Sequence, residues 1–299
     1  MHHKKELSLR EFLNRFPTEE SCEEYLFQQK WPDGFICPKC GCREFYHIKG
    51  RKLYQCKHCR HQSSVTANTV MHRTHKPLTT WFQAIYFVAS DKRGISACTL
   101  AGKLDISYET AWYMLVRIRK AMDHRESQYM LAGIVELDDS YFGAKIKGKR
   151  GRAAGNQSVI VCVSKDSKDR PQFLKMTVVP NVQRSTVEQF VDATIEKGTT
   201  VQTDSYRSYI KPLRKGYNHE SADFDPNSEH LKWLHTIIGN AKAFLKGTYH
   251  GTGTKYLQSY LSEFCYRFNR RSFHGQIFDR LVLAVSSCNE ILCLAELSR

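Results

Sequence analysis

The chain has 299 residues, with 45 Lys and Arg against 30 Asp and Glu for a formal charge of +15, 41% hydrophobic residues, 17 Gly and 8 Pro. This composition excludes a disordered or collagen-like chain, and the length calls for several domains, because single cores stop growing at roughly 250 to 300 residues. No apolar run reaches the ~18 residues that span a bilayer, and the opening MHHKKELSLREFLNRF lacks a signal-peptide core, so a soluble cytoplasmic protein with no membrane role is expected. The 11 cysteines are odd in number and four form two tight pairs, which fits reduced thiols better than a secreted disulfide framework. The positive excess draws polyanions, and charge alone nominates nucleic acid.

Taken in chain order, residues 1–33 carry Leu7, Phe12, Leu13, Phe16, Tyr25 and Leu26 in a helical rhythm. Pro17-Thr18 reads as a break and N-cap before the acids Glu19, Glu20, Glu23 and Glu24, which suit a helix's positive end. Residues 34–76 are basic and poor in long apolar stretches. Residues 77–128 return to helical spacing, and residues 129–283 alternate β-rich runs (GIVELDDSYFG, SVIVCVS, QFLKMTVV, TVQTDSY) with a helix at Ser185 to Lys197, then turn helical from Leu231. Strands followed by helices imply an α/β domain. Residues 284–299 read as an amphipathic C-terminal helix.

Cys37-Pro-Lys-Cys40 and Cys56-Lys-His-Cys59, fifteen residues apart, match the spacing of a four-thiolate zinc site. Each pair reaches one metal from a turn, and a structural Zn2+ supplies the folding free energy that a core-poor segment lacks. Four cysteines close the site to water, so the metal is structural, and Cys42 and His58 are bystanders. Arg43, Lys49, Arg51, Lys52, Lys57 and Arg60 either meet phosphates or form a solvated face.

In the following module Leu100, Ala101 and Leu104 face one way, Asp105 and Ile106 make a turn, and Ser107 caps a second helix with Ala111, Met114, Leu115 and Ile118 on its inner face. The other face holds Tyr108, Thr110, Trp112, Tyr113, Arg117 and Arg119. Of these, Tyr108, Thr110, Tyr113 and Arg117 are the candidates for reading a major groove and clamping phosphates in a helix-turn-helix.

Gly133 to Tyr141 delivers Asp138 and Asp139 near a strand end, where desolvation is costly unless a cation compensates. Val201 to Tyr209 repeats the arrangement with Asp204 at a strand-to-helix junction. Carboxylates from neighbouring strands suit Mg2+ and phosphodiester chemistry, although spacing alone also allows all three to cap turns.

Together, Cys37 to Cys59, Ser96 to Met122, Glu136-Leu-Asp-Asp-Ser-Tyr141, Thr203-Asp-Ser-Tyr206, His235-Thr-Ile-Ile-Gly-Asn240, Gly247-Thr-Tyr-His250 and Tyr266-Arg-Phe-Asn-Arg-Arg271 resemble a zinc-ribbon-bearing insertion-sequence transposase of the DDE superfamily. The likeness is to the insertion-sequence family 1595 type in its Asn-for-Glu subgroup and runs from about Leu7 to about Leu283. It implies a multidomain protein: an N-terminal zinc ribbon and helix-turn-helix followed by an α/β ribonuclease-H-like catalytic domain. It implies catalytic Asp138 and Asp204, with Asn240 at the third metal position where most relatives carry Glu, thirty-five residues lying between it and Asp204. The amide carbonyl serves there as ligand to Mg2+ or Mn2+. Lys242 is the first choice for the assisting basic residue and Lys246 the second, while Glu229 lies outside the motif. His235 matches a family histidine that either contacts a ligand or phosphate or is structural.

Lys145, Lys147, Lys149, Arg150 and Arg152, with Gly148 and Gly151 between them, read as a loop over bound DNA or as a solvated loop. Arg267, Arg270 and Arg271 form a second basic cluster, interleaved with Tyr266 and Phe268. The implied partners are the element's terminal inverted repeats, target DNA and a second copy of the chain or more, in the cytoplasm and at the nucleoid if bacterial. The alternatives are a catalytically silent DNA-binding regulator and a metal-dependent structure-selective nuclease.

Overall fold

A computed structural model describes residues 6–143, 157–223, 230–250 and 252–289. The chain divides into two compact units, one formed by residues up to 125 with those from 273 onward, the other by residues 126–272.

In the first unit, α1 (Leu9–Arg15) and α2 (Glu19–Lys30) are separated at Pro17 as expected, each opened by a reciprocal cap, Ser8 with Glu11 and Thr18 with Ser21. The three antiparallel strands β1 (Phe45–Ile48), β2 (Leu53–Cys56) and β3 (Gln62–Ser63) follow. This ribbon has little core of its own, and α2 completes it. Phe27 of α2 and Trp31 at its C-cap meet Tyr54 with ring centroids 4.9 and 5.6 Å apart, and buried Glu23 accepts a hydrogen bond from Tyr54 Oη at 2.9 Å. The helices α3 (Leu78–Ser90), α4 (Ala97–Leu104) and α5 (Tyr108–Ser127) come next.

The helix α10 (Ile277–Ser287) belongs to this first unit and packs on α2 and α3. Division of the sequence at residue 283 instead cuts through this helix. Its stripe of Phe278, Leu281, Val282 and Val285 is buried, and Phe278 meets Phe12 and Phe16 at 5.5 and 5.4 Å. An apolar stripe at i, i+3, i+4, i+7 needs a partner face, and here aromatic side chains of distant sequence supply it.

The second unit is a five-stranded sheet in the order β6-β5-β4-β7-β8. β4 (Ile134–Phe142), β5 (Gln157–Lys165) and β6 (Pro171–Val179) are antiparallel neighbours, while β7 (Thr200–Thr203) runs parallel to β4 and β8 (Asn218–Ser221) parallel to β7. The helix foreseen at Ser185 to Lys197 is α6 (Arg184–Thr194), and α7 (Arg207–Leu213) joins β7 to β8. Strand β8, with only polar residues in Asn218–Ser221, carries no apolar alternation to announce it.

Period-2 alternation separates the two faces. Ile160 and Cys162 of β5, with Val135 and Leu137 of β4, pack beside α6 and α7 residues such as Val187, Val191, Tyr209 and Leu213. Val159, Val161 and Val163 point the other way, into a second core with Leu234, Ile237, Ile238, Ala241 and Leu245 of α8 (Lys232–Tyr249) and Leu257 and Leu261 of α9 (Leu257–Asn269).

On that second face Glu136 is fully buried: its Oε2 accepts from Leu234 N at 2.8 Å, and Lys165 Nζ lies 3.1 Å from Oε1. A carboxylate at the first turn of a helix satisfies backbone donors that would otherwise lack a partner and complements the helix dipole. It pins the start of α8 to β4.

Of the cluster foreseen at Tyr266 to Arg271, Arg267 and Arg270 turn inward while Arg271 stays exposed. Arg270 is buried and paired with Glu126, Arg267 with Glu263 at 2.7 Å, and Arg271 donates to the carbonyls of Pro171, Gln172 and Phe268. Glu136→Gln removes the charge opposite Lys165 and the helix terminus. Its expected cost is about 2–4 kcal/mol, measured in urea by amide hydrogen exchange across α8; unchanged protection there contradicts the anchoring role.

Candidate active site and metal centres

Parallel pairing of β4 with β7 sets Glu136 opposite Gln202, and two residues further along each chain stand Asp138 and Asp204. Neighbouring strands run about 4.8 Å apart, so the ladder itself brings these side chains together. The acids of β4 lie inside the strand, which continues to Phe142, rather than at its end; it is β7 that stops, at Thr203. Asp204 occupies the junction before α7, where its Oδ1 accepts from Tyr206 N at 3.1 Å.

Asp138 and Asp204 line one cavity of about 180 Å³ with Ala222, Asp223, His230, Leu231 and His235. Asp138 is pushed up to about 6, first by burial and then by the charges of Asp204 and Asp139, against the Asp139 N–H donated to its Oδ1 and the nearby His235. His235 Nε2 lies 3.5 Å from Asp138 Oδ2. His230 Nε2 donates to the Thr203 carbonyl at 2.8 Å.

Adjacent acids on a strand point to opposite faces, and Asp139 accordingly turns to the α7 side, where the fully buried Tyr209 donates to its Oδ1 at 2.8 Å. Burial and the charge of Asp139 hold the Tyr209 phenol far above its ordinary range. Tyr209, His230 and Asp223 were not among the residues singled out from the sequence, and only the juxtaposition of separate segments identifies them.

Helix α8 presents its motif residues unequally. Lys242, seven residues after His235 and so within about 20° of it around the helix, donates from Nζ to Ser140 Oγ at 2.9 Å. Asn240, five residues after His235 and about 140° away from it, is exposed and absent from the cavity lining. Lys246 is exposed as well. The structure therefore gathers Asp138, Asp204 and His235, sets Lys242 beside them, and does not bring Asn240 to the carboxylates. Glu229 lies outside the described residues.

Desolvated carboxylates facing one another favour a divalent cation between them, and the donor set of oxygens suits Mg2+ or Mn2+. The arrangement is open. Among the described residues, only Cys37, Cys40, Cys56 and Cys59 bring three or more such ligand atoms within 4.8 Å of one another.

In that cysteine group the Cys37 and Cys59 sulfurs are 3.5 Å apart and those of Cys40 and Cys56 3.6 Å. Tetrahedral zinc with Zn–S bonds of roughly 2.3 Å needs sulfurs about 3.8 Å apart, so the four thiols fit a structural Zn2+. The backbone N–H of Cys59 is the largest of the contributions that bring the Cys56 thiol down to about 6 and favour its thiolate form. Cys42 lies outside this group, as does His58. Lys52 and Lys57 of the ribbon face Glu19 and Glu44 at 3.3 and 3.5 Å, whereas Arg43, Lys49, Arg51 and Arg60 are exposed.

In the helix pair, Ser96 and Ser107 both serve as caps, accepting from Thr99 N and Thr110 N at 3.1 and 3.3 Å. Tyr108 is 51% exposed at the start of α5. Thr110 shares its hydroxyl with Ser107 Oγ at 3.0 Å, and half-buried Tyr113 lies under the Arg117 guanidinium at 4.3 Å.

Arg117 itself is a correction to the sequence reading. It is 5% exposed and donates to the carbonyls of Val70 and His72 at 2.7 and 3.1 Å, so it ties the helix to the preceding loop and offers no charge to a phosphate. Residues Lys145, Lys147, Lys149, Arg150 and Arg152 lie outside the described residues; the strands flanking them pair with Phe142 opposite Gln157.

Two family models match the chain, an ISXO2-like transposase domain over residues 130–269 and a transposase zinc-ribbon domain over residues 17–62. The chain is 25% identical over 218 residues to an uncharacterized protein in transposable element ISH50 of Halobacterium salinarum, covering 66% of this chain and 71% of that one. It is 28% identical over 104 residues to an uncharacterized transposase-like protein of Haemophilus influenzae, covering 33% of this chain and 84% of that one. Among solved structures, a pre-cleavage Mos1 transpososome aligns with a TM-score of 0.29 and 12% identity over 71% of this chain and 79% of that chain.

Metal analysis of the purified chain should find one bound Zn2+ that a paired Cys56→Ser, Cys59→Ser substitution abolishes. Chelation should remove hydrogen-exchange protection from β1 to β3, because the ribbon folds on its metal; a ribbon indifferent to chelator would contradict the assignment.

Proposed function

From a chain that belongs to the zinc-ribbon-bearing insertion-sequence transposases, we propose a DNA transposase. It binds the terminal inverted repeats of its element and uses the Asp138–Asp204 cavity to cleave strands and join them to target DNA. The observation that carries this reading is the shared cavity: Asp138 and Asp204, distant in sequence, line one pocket with Asp223 and two histidines. The strand order β6-β5-β4-β7-β8, with antiparallel β4 to β6 and parallel β7 and β8, supports a ribonuclease-H-like core. The capped α4–α5 pair supports a helix-turn-helix.

In this reading Asp138 and Asp204 hold a divalent cation. When bound, that cation supplies Lewis-acid activation of an attacking water or 3′-hydroxyl and neutralises charge at the leaving oxygen. Tyr209, through Asp139, keeps the β4 carboxylates in register with α7. Lys242, beside Ser140, offers a positive charge to a phosphate. Hydrolysis and strand joining by in-line attack need alignment and charge neutralisation, so no covalent protein intermediate is called for.

Tyr108 and Thr110, with Tyr113 behind them, meet the DNA groove, and Lys145, Lys147, Lys149, Arg150 and Arg152 meet backbone phosphates. The working form is a dimer or larger assembly that pairs two element ends, acting in the cytoplasm at the nucleoid. None of the described helices is long and apolar enough to cross a membrane.

The exposed position of Asn240 favours a second reading, a regulator that binds element ends without cutting them. Labelled terminal-repeat DNA incubated with Mg2+ or Mn2+ separates the readings. Cleaved and joined product that falls by about 10³-fold or more in Asp138→Ala and Asp204→Ala, with end binding retained, is the expected result. End binding with no product supports the regulator, cleavage without joining supports a nuclease, and product unchanged in both variants removes the site assignment.

In the same assay Tyr108→Ala should weaken end binding by roughly 5- to 100-fold, about 1–3 kcal/mol, with stability unchanged. Arg117→Ala should instead lower the stability of the helical unit by about 2–4 kcal/mol, as read by chemical denaturation.

A further inference from the structure

The rotation of α8 is fixed at three points. Leu234 N donates to buried Glu136, His235 Nε2 stands 3.5 Å from Asp138 Oδ2, and Lys242 Nζ donates to Ser140 Oγ at 2.9 Å. Glu136, Asp138 and Ser140 are alternate residues of β4 on one face of the sheet, so strand and helix are keyed along their length. Leu234, Ile237, Ile238, Ala241 and Leu245 fill the core beneath. Bringing Asn240 to where His235 now points would take a turn of about 140° about the helix axis, which would carry those side chains toward solvent.

Resting on the assignment of Asp138 and Asp204 as the metal-holding pair, we infer that the third protein ligand is His235 and not Asn240. The site is then a mixed nitrogen and oxygen centre that takes Mn2+ in preference to Mg2+. The imidazole stands 3.5 Å from an Asp138 oxygen, and it lines the same cavity as Asp204, Asp223 and His230. Side-chain exposures of 18% for Asp138 and 41% for His235 leave coordination positions open to phosphate oxygens.

The chemistry follows from ligand preference. Mg2+ holds oxygen ligands and dehydrates reluctantly, while affinity for imidazole rises along the first-row divalent ions, beginning with Mn2+. His230 donates its Nε2 proton to the Thr203 carbonyl, which fixes the orientation of its ring at the cavity wall.

The test uses the full-length, zinc-loaded chain titrated with Mn2+ and read by electron paramagnetic resonance, with electron spin-echo modulation reporting any directly ligated nitrogen. Wild type should bind Mn2+ more tightly than Mg2+ in competition and show ¹⁴N modulation, and Asn240→Ala should keep both. His235→Ala and His235→Gln should lose the modulation, weaken Mn2+ binding by roughly 10- to 100-fold and narrow the Mn2+ to Mg2+ preference. Native circular dichroism in both His235 variants excludes misfolding as the cause.

Modulation that survives in both His235 variants, or Mn2+ affinity that falls with Asn240→Ala instead, overturns the inference while leaving the carboxylate pair in place. Mn2+ binding that is unchanged in Asp138→Asn and Asp204→Asn overturns the carboxylate assignment, and the inference with it.

Discussion

The buried carboxylate of Glu136 is the contact on which the geometry of the second unit turns. A carboxylate with no exposure needs partners, and here Lys165 faces Oε1 at 3.1 Å as an ion pair while the first turn of α8 donates to Oε2. Because strand residues alternate faces, fixing Glu136 under α8 also fixes Asp138 and Ser140 along that helix, and Asp139 on the opposite side against Tyr209. One buried interaction thus decides which acid of the Asp138-Asp139 pair meets the cavity. Sequence alone named both acids.

Much of the architecture was written locally. The two C-x2-C pairs, the break at Pro17, the Ser96 and Ser107 caps and the β-rich runs of β4 to β7 each rest on short-range chemistry, and each appears where it was read. What escaped depends on partners distant in the chain. Arg117 looked like a phosphate clamp because its helix position is outward relative to Ala111 and Met114, yet the loop carrying Val70 and His72 closes over it. Arg267 and Arg270 are drawn inward for the same reason, by Glu263 and by Glu126, while exposed Arg271 is tied to the carbonyls of Pro171 and Gln172. In α10, a stripe legible as amphipathic gave no indication of which helices it covers.

The site was half legible. Asp138 and Asp204 stand out because acids that follow apolar strand residues are costly without a purpose. Motif position nominated Asn240, but which flank of α8 a residue occupies follows from the hydrophobic stripe and from Glu136, and both turn that amide away from the carboxylates. The zinc ribbon illustrates a related division of labour: its spacing declares the metal, whereas its dependence on Phe27 of α2 and the C-cap Trp31 for an aromatic floor emerges only in three dimensions.

The proposal that Asp138 and Asp204 act on one cation is open to direct view. Crystals of the full chain grown with Mn2+ and terminal-repeat DNA, with diffraction recorded above the manganese absorption edge, give an anomalous difference map that locates the ion independently of any assay. A peak within coordination distance of carboxylate oxygens from both residues is the predicted result. A peak held by only one of them, or manganese bound elsewhere with this cavity bare, would contradict it.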